Sequence, residues 1–135
     1  MEIRVFGLVL MLVLCVALPA EAQNWEAFKK KHIYLSMDER RCNDTIKDKG
    51  INSGDTCKIK NSFILATEDQ VKAVCGKAGN PVGGNLRESN KPFIVVTCSL
   101  AGSNPCKYNG QKRTQCITIA CENGYPVHYE RERNC

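Results

Sequence analysis

Trp25, Phe28, His32 and Ile33 stand at i, i+3, i+7 and i+8, the spacing of one helix face, with Lys29, Lys30 and Lys31 over much of the remaining surface. A second short helix is predicted over Cys42 to Asp48. Gly50 to Thr56, rich in Gly, Asn, Ser and Asp, reads as a loop. Lys58 to Ala66 carries Ile59, Phe63, Ile64 and Leu65 and reads as a strand. Thr67 is an N-cap residue, Glu68 and Asp69 suit a first helical turn, and Val71, Val74 and Cys75 form the apolar face behind them. Ala78 to Asn90, with several Gly and Asn residues and one Pro, reads as an exposed loop or an irregular edge strand. Three further strands are predicted at Phe93 to Ser99, Thr114 to Cys121 and Val127 to Arg131, with turn signals at Asn104-Pro105, Asn109-Gly110 and Asn123-Gly124. Helices come first and strands later, an order that predicts an α+β domain with an antiparallel sheet.

The apolar run Val5 to Leu18 precedes this pattern and ends in the small-x-small sequence Ala20-Glu21-Ala22. It reads as a secretory signal peptide over residues 1–22, leaving a mature domain 23–135. A membrane span needs about 20 apolar residues, more than this run supplies. The new terminus, Gln23, is expected to cyclise to pyrrolidone carboxylic acid.

The leader takes Cys15 with it, so eight of the nine cysteines remain: Cys42, Cys57, Cys75, Cys98, Cys106, Cys116, Cys121 and Cys135. An even count in a short secreted chain reads as four disulfides, with the pairing open. A zinc site is disfavoured, because no close CxxC pair occurs and the two histidines are far apart in sequence. Removing Glu2, Arg4 and Glu21 raises the net charge from +5 to +6, with 18 basic and 12 acidic residues. Such a surplus favours polyanions, whether nucleic acid, heparin-like glycan or anionic lipid, without choosing among them. Asn43-Asp44-Thr45 is a glycosylation sequon.

The two histidines are the groups whose ordinary pKa lies near neutrality, so the pair can supply a base and an acid. His32 follows three lysines, whose charge lowers its pKa and favours the neutral, proton-accepting form. Glu130 stands two residues beyond His128, on the same face of a regular strand, where it orients the ring and favours the protonated form.

The segments Phe28-Lys29-Lys30-Lys31-His32, Cys57-Lys58-Ile59-Lys60-Asn61-Ser62-Phe63 and Cys121 through Pro126-Val127-His128-Tyr129 resemble the pancreatic-type ribonuclease family. The middle segment matches its C-K-x-x-N-T-F signature, with Ser62 where Thr is usual. Gln23-Asn24-Trp25, Lys31-His32 and the terminal Cys135 look most like the amphibian, ranpirnase-like cytotoxic branch. The resemblance implies a ribonuclease A-like fold, three short helices on a V-shaped antiparallel sheet. It implies the pairs Cys42–Cys98, Cys57–Cys106, Cys75–Cys121 and Cys116–Cys135. Amphibian members usually have two residues between the last strand cysteines and this chain has four, Ile117 to Ala120. A shift of two keeps the strand face, so the last bridge is expected in altered geometry.

The implied activity is cleavage of single-stranded RNA on the 3′ side of pyrimidines, by transphosphorylation to a 2′,3′-cyclic phosphate, without metal or other cofactor. His32 is the implied base, His128 the acid, and Lys58 the stabiliser of charge on the phosphorus oxygens. Ser62 is the implied pyrimidine reader. Lys31 matches a phosphate contact, Asn61 and Tyr129 line the substrate site, and Glu122 matches a contact to the following base. The Tyr129 hydroxyl, where Phe is usual, requires a partner. DNA lacks the 2′-hydroxyl and is not cleaved. A monomer is expected. A cytotoxic or host-defence role accompanies this reading; the alternatives are a cationic antimicrobial protein acting on anionic membranes, which Lys29-Lys30-Lys31 and Arg131/Arg133 motivate, and a glycan-binding protein on the same fold, each with little RNA cleavage.

Overall fold

The amphipathic N-terminal segment forms helix α1, Ala20–His32, in a computed structural model that describes residues 20–135, with side chains from Asn24. The apolar run Val5 to Leu18, read above as part of a signal peptide, lies outside the described residues. α1 ends in Lys29, Lys30, Lys31 and His32, a basic last turn that suits the negative end of the helix dipole. A 3₁₀ turn at Glu39–Arg41 leads into α2, Cys42–Asp48. α3, Glu68–Lys72, starts at a capping box: Thr67 Oγ1 accepts from the Gln70 N–H at 3.2 Å and Gln70 Oε1 accepts from the Thr67 N–H at 2.9 Å.

The strands are β1 (Lys60–Ile64), β2 (Gly79–Gly83), β3 (Leu86–Ser89), β4 (Phe93–Gly102), β5 (Lys107–Glu122) and β6 (Tyr125–Arg133). These six strands pair antiparallel, in the order β1-β4-β5-β3-β2, with β6 also on β5. The sixteen residues of β5 join two arms. Lys107 to Gln115 pairs with β4, whereas Cys116 to Glu122 pairs with β6 and, in part, with β3. This is the ribonuclease A-like α+β arrangement, three short helices against a two-armed antiparallel sheet.

Alternation along β1 and β4 sends adjacent residues to opposite faces and so builds two cores. Ile64 and Val95 pack with Trp25, Phe28, Val71, Val74, Ile117 and Ile119, beneath α1 and α3. Phe63 and Val96 pack with Met37, Ile46 and Tyr108, beneath α2. Disulfides join Cys42–Cys98, Cys57–Cys106, Cys75–Cys121 and Cys116–Cys135, as the resemblance implies. The last closes with a Cα–Cα distance of 5.8 Å despite the two extra residues.

One reading of the loops is corrected and another is decided. Asn109-Gly110 is not a turn; both residues lie inside β5, opposite Ser99 and Cys98. Glycine is required there by close packing: a Cβ on Gly110 would meet the Glu39 carbonyl and sit 2.8 Å from Cys42 Sγ. Ala78 to Asn90 holds the β2–β3 hairpin, its outer strand exposed and its register broken at Pro81/Gly83, which makes it the irregular edge. Asn123-Gly124 is a two-residue hairpin loop with φ of 51° and 81°, the positive values that favour Asn-Gly.

Candidate active site

The chain leaves α1 by pairing with β1. Ile33 bridges Ile64, and the Tyr34 N–H donates to the Ile64 carbonyl at 3.0 Å. This docking presses the last turn of α1 against Asn61 and Ser62. His32 is 8% exposed, its ring between Phe28 and Tyr129 with centroids 5.2 and 5.1 Å away. Its Nδ1 lies 2.9 Å from the Ser62 carbonyl. A carbonyl oxygen only accepts, so Nδ1 carries the hydrogen and Nε2 keeps its lone pair. Burial lowers the His32 pKa to about 4, with Lys58, Lys31 and His128 adding to the effect and the Ser62 hydrogen bond opposing it. The direction matches the sequence reading, but desolvation outweighs the lysines. Lys29 faces elsewhere, at 2.8 Å from Glu26 and 3.5 Å from Glu68.

Asn61, 2% exposed, ties three segments together. Its amide donates to the Lys31 carbonyl at 2.9 Å, and its Oδ1 accepts from Lys58 Nζ at 2.8 Å. The Lys58 N–H donates to Asn52 Oδ1, and the Lys58 carbonyl accepts from the Tyr108 hydroxyl at 2.6 Å. Burial, and then Lys31, lower the Lys58 pKa. The ammonium is therefore held on the cleft wall rather than left on a free stem.

β6 supplies the opposite wall. His128 is exposed, with Nε2 at 3.3 Å from Glu130 Oε2. The two do not share a regular strand face: Tyr129 pairs with Ile119 and Arg131 with Thr118, so Glu130 is the extra residue of a bulge. The same bulge brings Tyr129 and Glu132 together. Residues three apart point to opposite faces of a regular strand, yet the Tyr129 hydroxyl donates to Glu132 Oε2 at 2.8 Å. Glu132 is the partner that the buried hydroxyl needs.

Glu132 is absent from the sequence reading, and its side chain is only 8% exposed. Its Oε1 accepts from Thr97 Oγ1 at 3.1 Å and Ser62 Oγ at 3.5 Å, and lies 3.1 Å from Lys60 Nζ. Burial acts to raise its pKa, but the Tyr129 hydroxyl and Lys60 ammonium hold it below the ordinary carboxylate value. The available signal in the sequence was the Tyr129 hydroxyl, without a way to name its partner.

Lys31, His32, Lys58, Asn61, Ser62, His128 and Tyr129 all line one cleft of about 400 Å³. Glu122, at the exposed end of β5, is not among its lining residues. A buried neutral imidazole, a second imidazole tethered to a carboxylate and an anchored ammonium are the equipment for moving a proton on and off an oxygen beside a phosphate.

A family model described as pancreatic ribonuclease matches residues 23–130. Angiogenin-4 of Mus musculus is 40% identical over 131 residues, covering 91% of this chain and 90% of that protein. A ribonuclease of Chelonia mydas is 40% identical over 115 residues, covering 79% of this chain and 96% of that one. The X-ray structure of zebrafish RNase5 superposes with a TM-score of 0.79 at 39% identity, over 84% of this chain and 98% of that chain. The chain belongs to the pancreatic ribonuclease family and is a pancreatic-type endoribonuclease whose substrate is RNA. The amphibian likeness read from Gln23-Asn24-Trp25, Lys31-His32 and Cys135 gains no support from these mammalian, turtle and fish relatives.

Proposed function

We propose that this enzyme is secreted and cleaves single-stranded RNA after pyrimidines, with His32 as base, His128 as acid and Lys58 as the charge stabiliser. The observation that carries this reading is the opposite setting of the two imidazoles. His32 is buried and neutral, with Nε2 free to take the 2′-hydroxyl proton. The 2′-oxygen then attacks phosphorus, and the bond to the 5′-oxygen breaks. His128, its Nε2–H directed at Glu130, delivers a proton from Nδ1 to that leaving oxygen. The product is a 2′,3′-cyclic phosphate. Lys58, anchored by Asn61, meets the charge that grows on the non-bridging oxygens. Lys31, on the same cleft wall, contacts a neighbouring phosphate. Ser62 reads the pyrimidine through its backbone N–H and hydroxyl, and Tyr129 packs beside the base.

Secretion rests on the leader over residues 1–22 together with four disulfides, which persist in oxidising surroundings. The test is cleavage of a fluorogenic single-stranded RNA in EDTA by the oxidised mature protein, beside His128→Ala. Activity in the wild type and its loss in the variant are expected. Equal activity in the two removes His128 from the mechanism. An inactive, correctly oxidised wild type overturns the assignment and favours a cationic binding role on the same fold.

A further inference from the structure

Ser62 Oγ has one proton, and the groups around it decide where that proton points. Thr97, opposite Ser62 in the β1–β4 register, donates its hydroxyl proton to Glu132 Oε1 at 3.1 Å. Tyr129 donates its own to Glu132 Oε2 at 2.8 Å. A carboxylate accepts only, and Lys60 at 3.1 Å supports the ionised state. With both neighbouring hydroxyl protons committed, neither Thr97 nor Tyr129 has one left for Ser62. Ser62 is left as the donor, and the acceptors beside it are Thr97 Oγ1 at 3.1 Å, Glu132 Oε1 at 3.5 Å and the Tyr129 hydroxyl oxygen. What Ser62 Oγ then offers an incoming base is a lone pair.

We propose that Glu132, through Thr97, fixes Ser62 as a hydrogen-bond acceptor and makes the enzyme select uracil over cytosine. This rests on the reading of Ser62 as the residue that contacts the base. Uracil carries N3–H, which donates to the Ser62 lone pair. Cytosine N3 carries a lone pair of its own, and the two acceptors face each other unpaired. A free serine hydroxyl rotates to serve either base. Here rotation toward cytosine breaks the chain to the carboxylate, so cytosine forgoes a hydrogen bond that uracil makes. A bond unmade in a desolvated site lowers the rate by about tenfold.

Glu132 stands past residue 130, where the family match ends. The bulge at Glu130 turns it onto the Tyr129 face. The strand beyond it is clamped by Arg133, at 2.6 and 2.7 Å from the Glu88 carboxylate, and by Cys135 bridged to Cys116.

The experiment compares kcat/KM for uridylyl-(3′,5′)-adenosine and cytidylyl-(3′,5′)-adenosine in four proteins: wild type, Glu132→Ala, Thr97→Val and Ser62→Ala, each checked for native circular dichroism. The wild type is expected to prefer the uridine substrate about tenfold. Glu132→Ala is expected to bring the ratio toward one, chiefly by raising cleavage after cytidine. Thr97→Val, which leaves the Glu132 charge in place, is expected to move it the same way. A wild-type ratio near one overturns the proposal. So does an equal rise on both substrates in Glu132→Ala, which would make Glu132 only an occupant of the base site. An unchanged ratio in Glu132→Ala, alongside lost pyrimidine selectivity in Ser62→Ala, overturns the role of Glu132 and keeps that of Ser62. If Ser62→Ala changes no selectivity, the reading of Ser62 falls, and the proposal with it.

Discussion

Replacing His32 by Asn tests the burial that sets the site. The Asn amide nitrogen stands where Nδ1 stands, so the bond to the Ser62 carbonyl survives while the titratable ring is lost. In the wild type the imidazole binds its proton near pH 6.5 when the chain is unfolded and near about 4 when it is folded. Between those values the unfolded chain holds more protons, so acidification favours unfolding. The neutral imidazole therefore costs nothing above pH 6.5. Stability falls as the pH drops through the window and levels off below about 4. The gap corresponds to about 3 kcal/mol, and 8% exposure leaves little solvent screening to reduce it. Urea unfolding of both oxidised proteins between about pH 8 and about pH 3.5 reads the effect as a difference of differences, in which carboxylates common to both cancel. The wild type is expected to lose about 3 kcal/mol more than His32→Asn across that range. On the proposed mechanism the same protonation disables His32 as the base, so the acid limb of wild-type kcat/KM is expected near pH 4. Parallel stability curves, or an acid limb centred on 6.5, would refute the claim that burial holds His32 neutral.

Gly110→Ala places a methyl group against the Glu39 carbonyl and Cys42 Sγ, and is expected to destabilise by about 1–3 kcal/mol in urea unfolding. Asn61→Ala strips partners from the Lys31 carbonyl and Lys58 Nζ, with an expected loss of about 2 kcal/mol. On the proposed role of Lys58 as the stabiliser of charge that develops during reaction, the kcat of this variant should fall further than its KM rises. Converting Cys116 and Cys135 to Ser opens a loop of sequence separation 19 and is expected to cost about 3 kcal/mol of thermal or urea stability.

Much of the architecture was legible because the signals are local. The Trp25/Phe28/His32 face, the Thr67 cap and the Asn123-Gly124 hairpin each depend on residues a few positions apart, and the structure has all of them. The Asn109-Gly110 misreading shows where that logic fails. The dipeptide has turn chemistry, but the long ladder with β4 and the 3₁₀ turn crossing above Gly110 outweigh it.

The sequence by itself determined the secondary-structure order, the cysteine staples once a family was recognised, and the identities of two imidazoles and a lysine suited to the chemistry. Tertiary structure decided how they act. It made burial, rather than neighbouring lysines, the main cause of the lowered His32 pKa, and it anchored Lys58 through Asn61. It also inserted the bulge that carries Glu132 onto Ser62 and Thr97. The physical reason is range. Propensity and periodicity act between near neighbours, whereas desolvation and the direction of a shared proton depend on groups from β1, β4 and β6 that meet only after the sheet has closed.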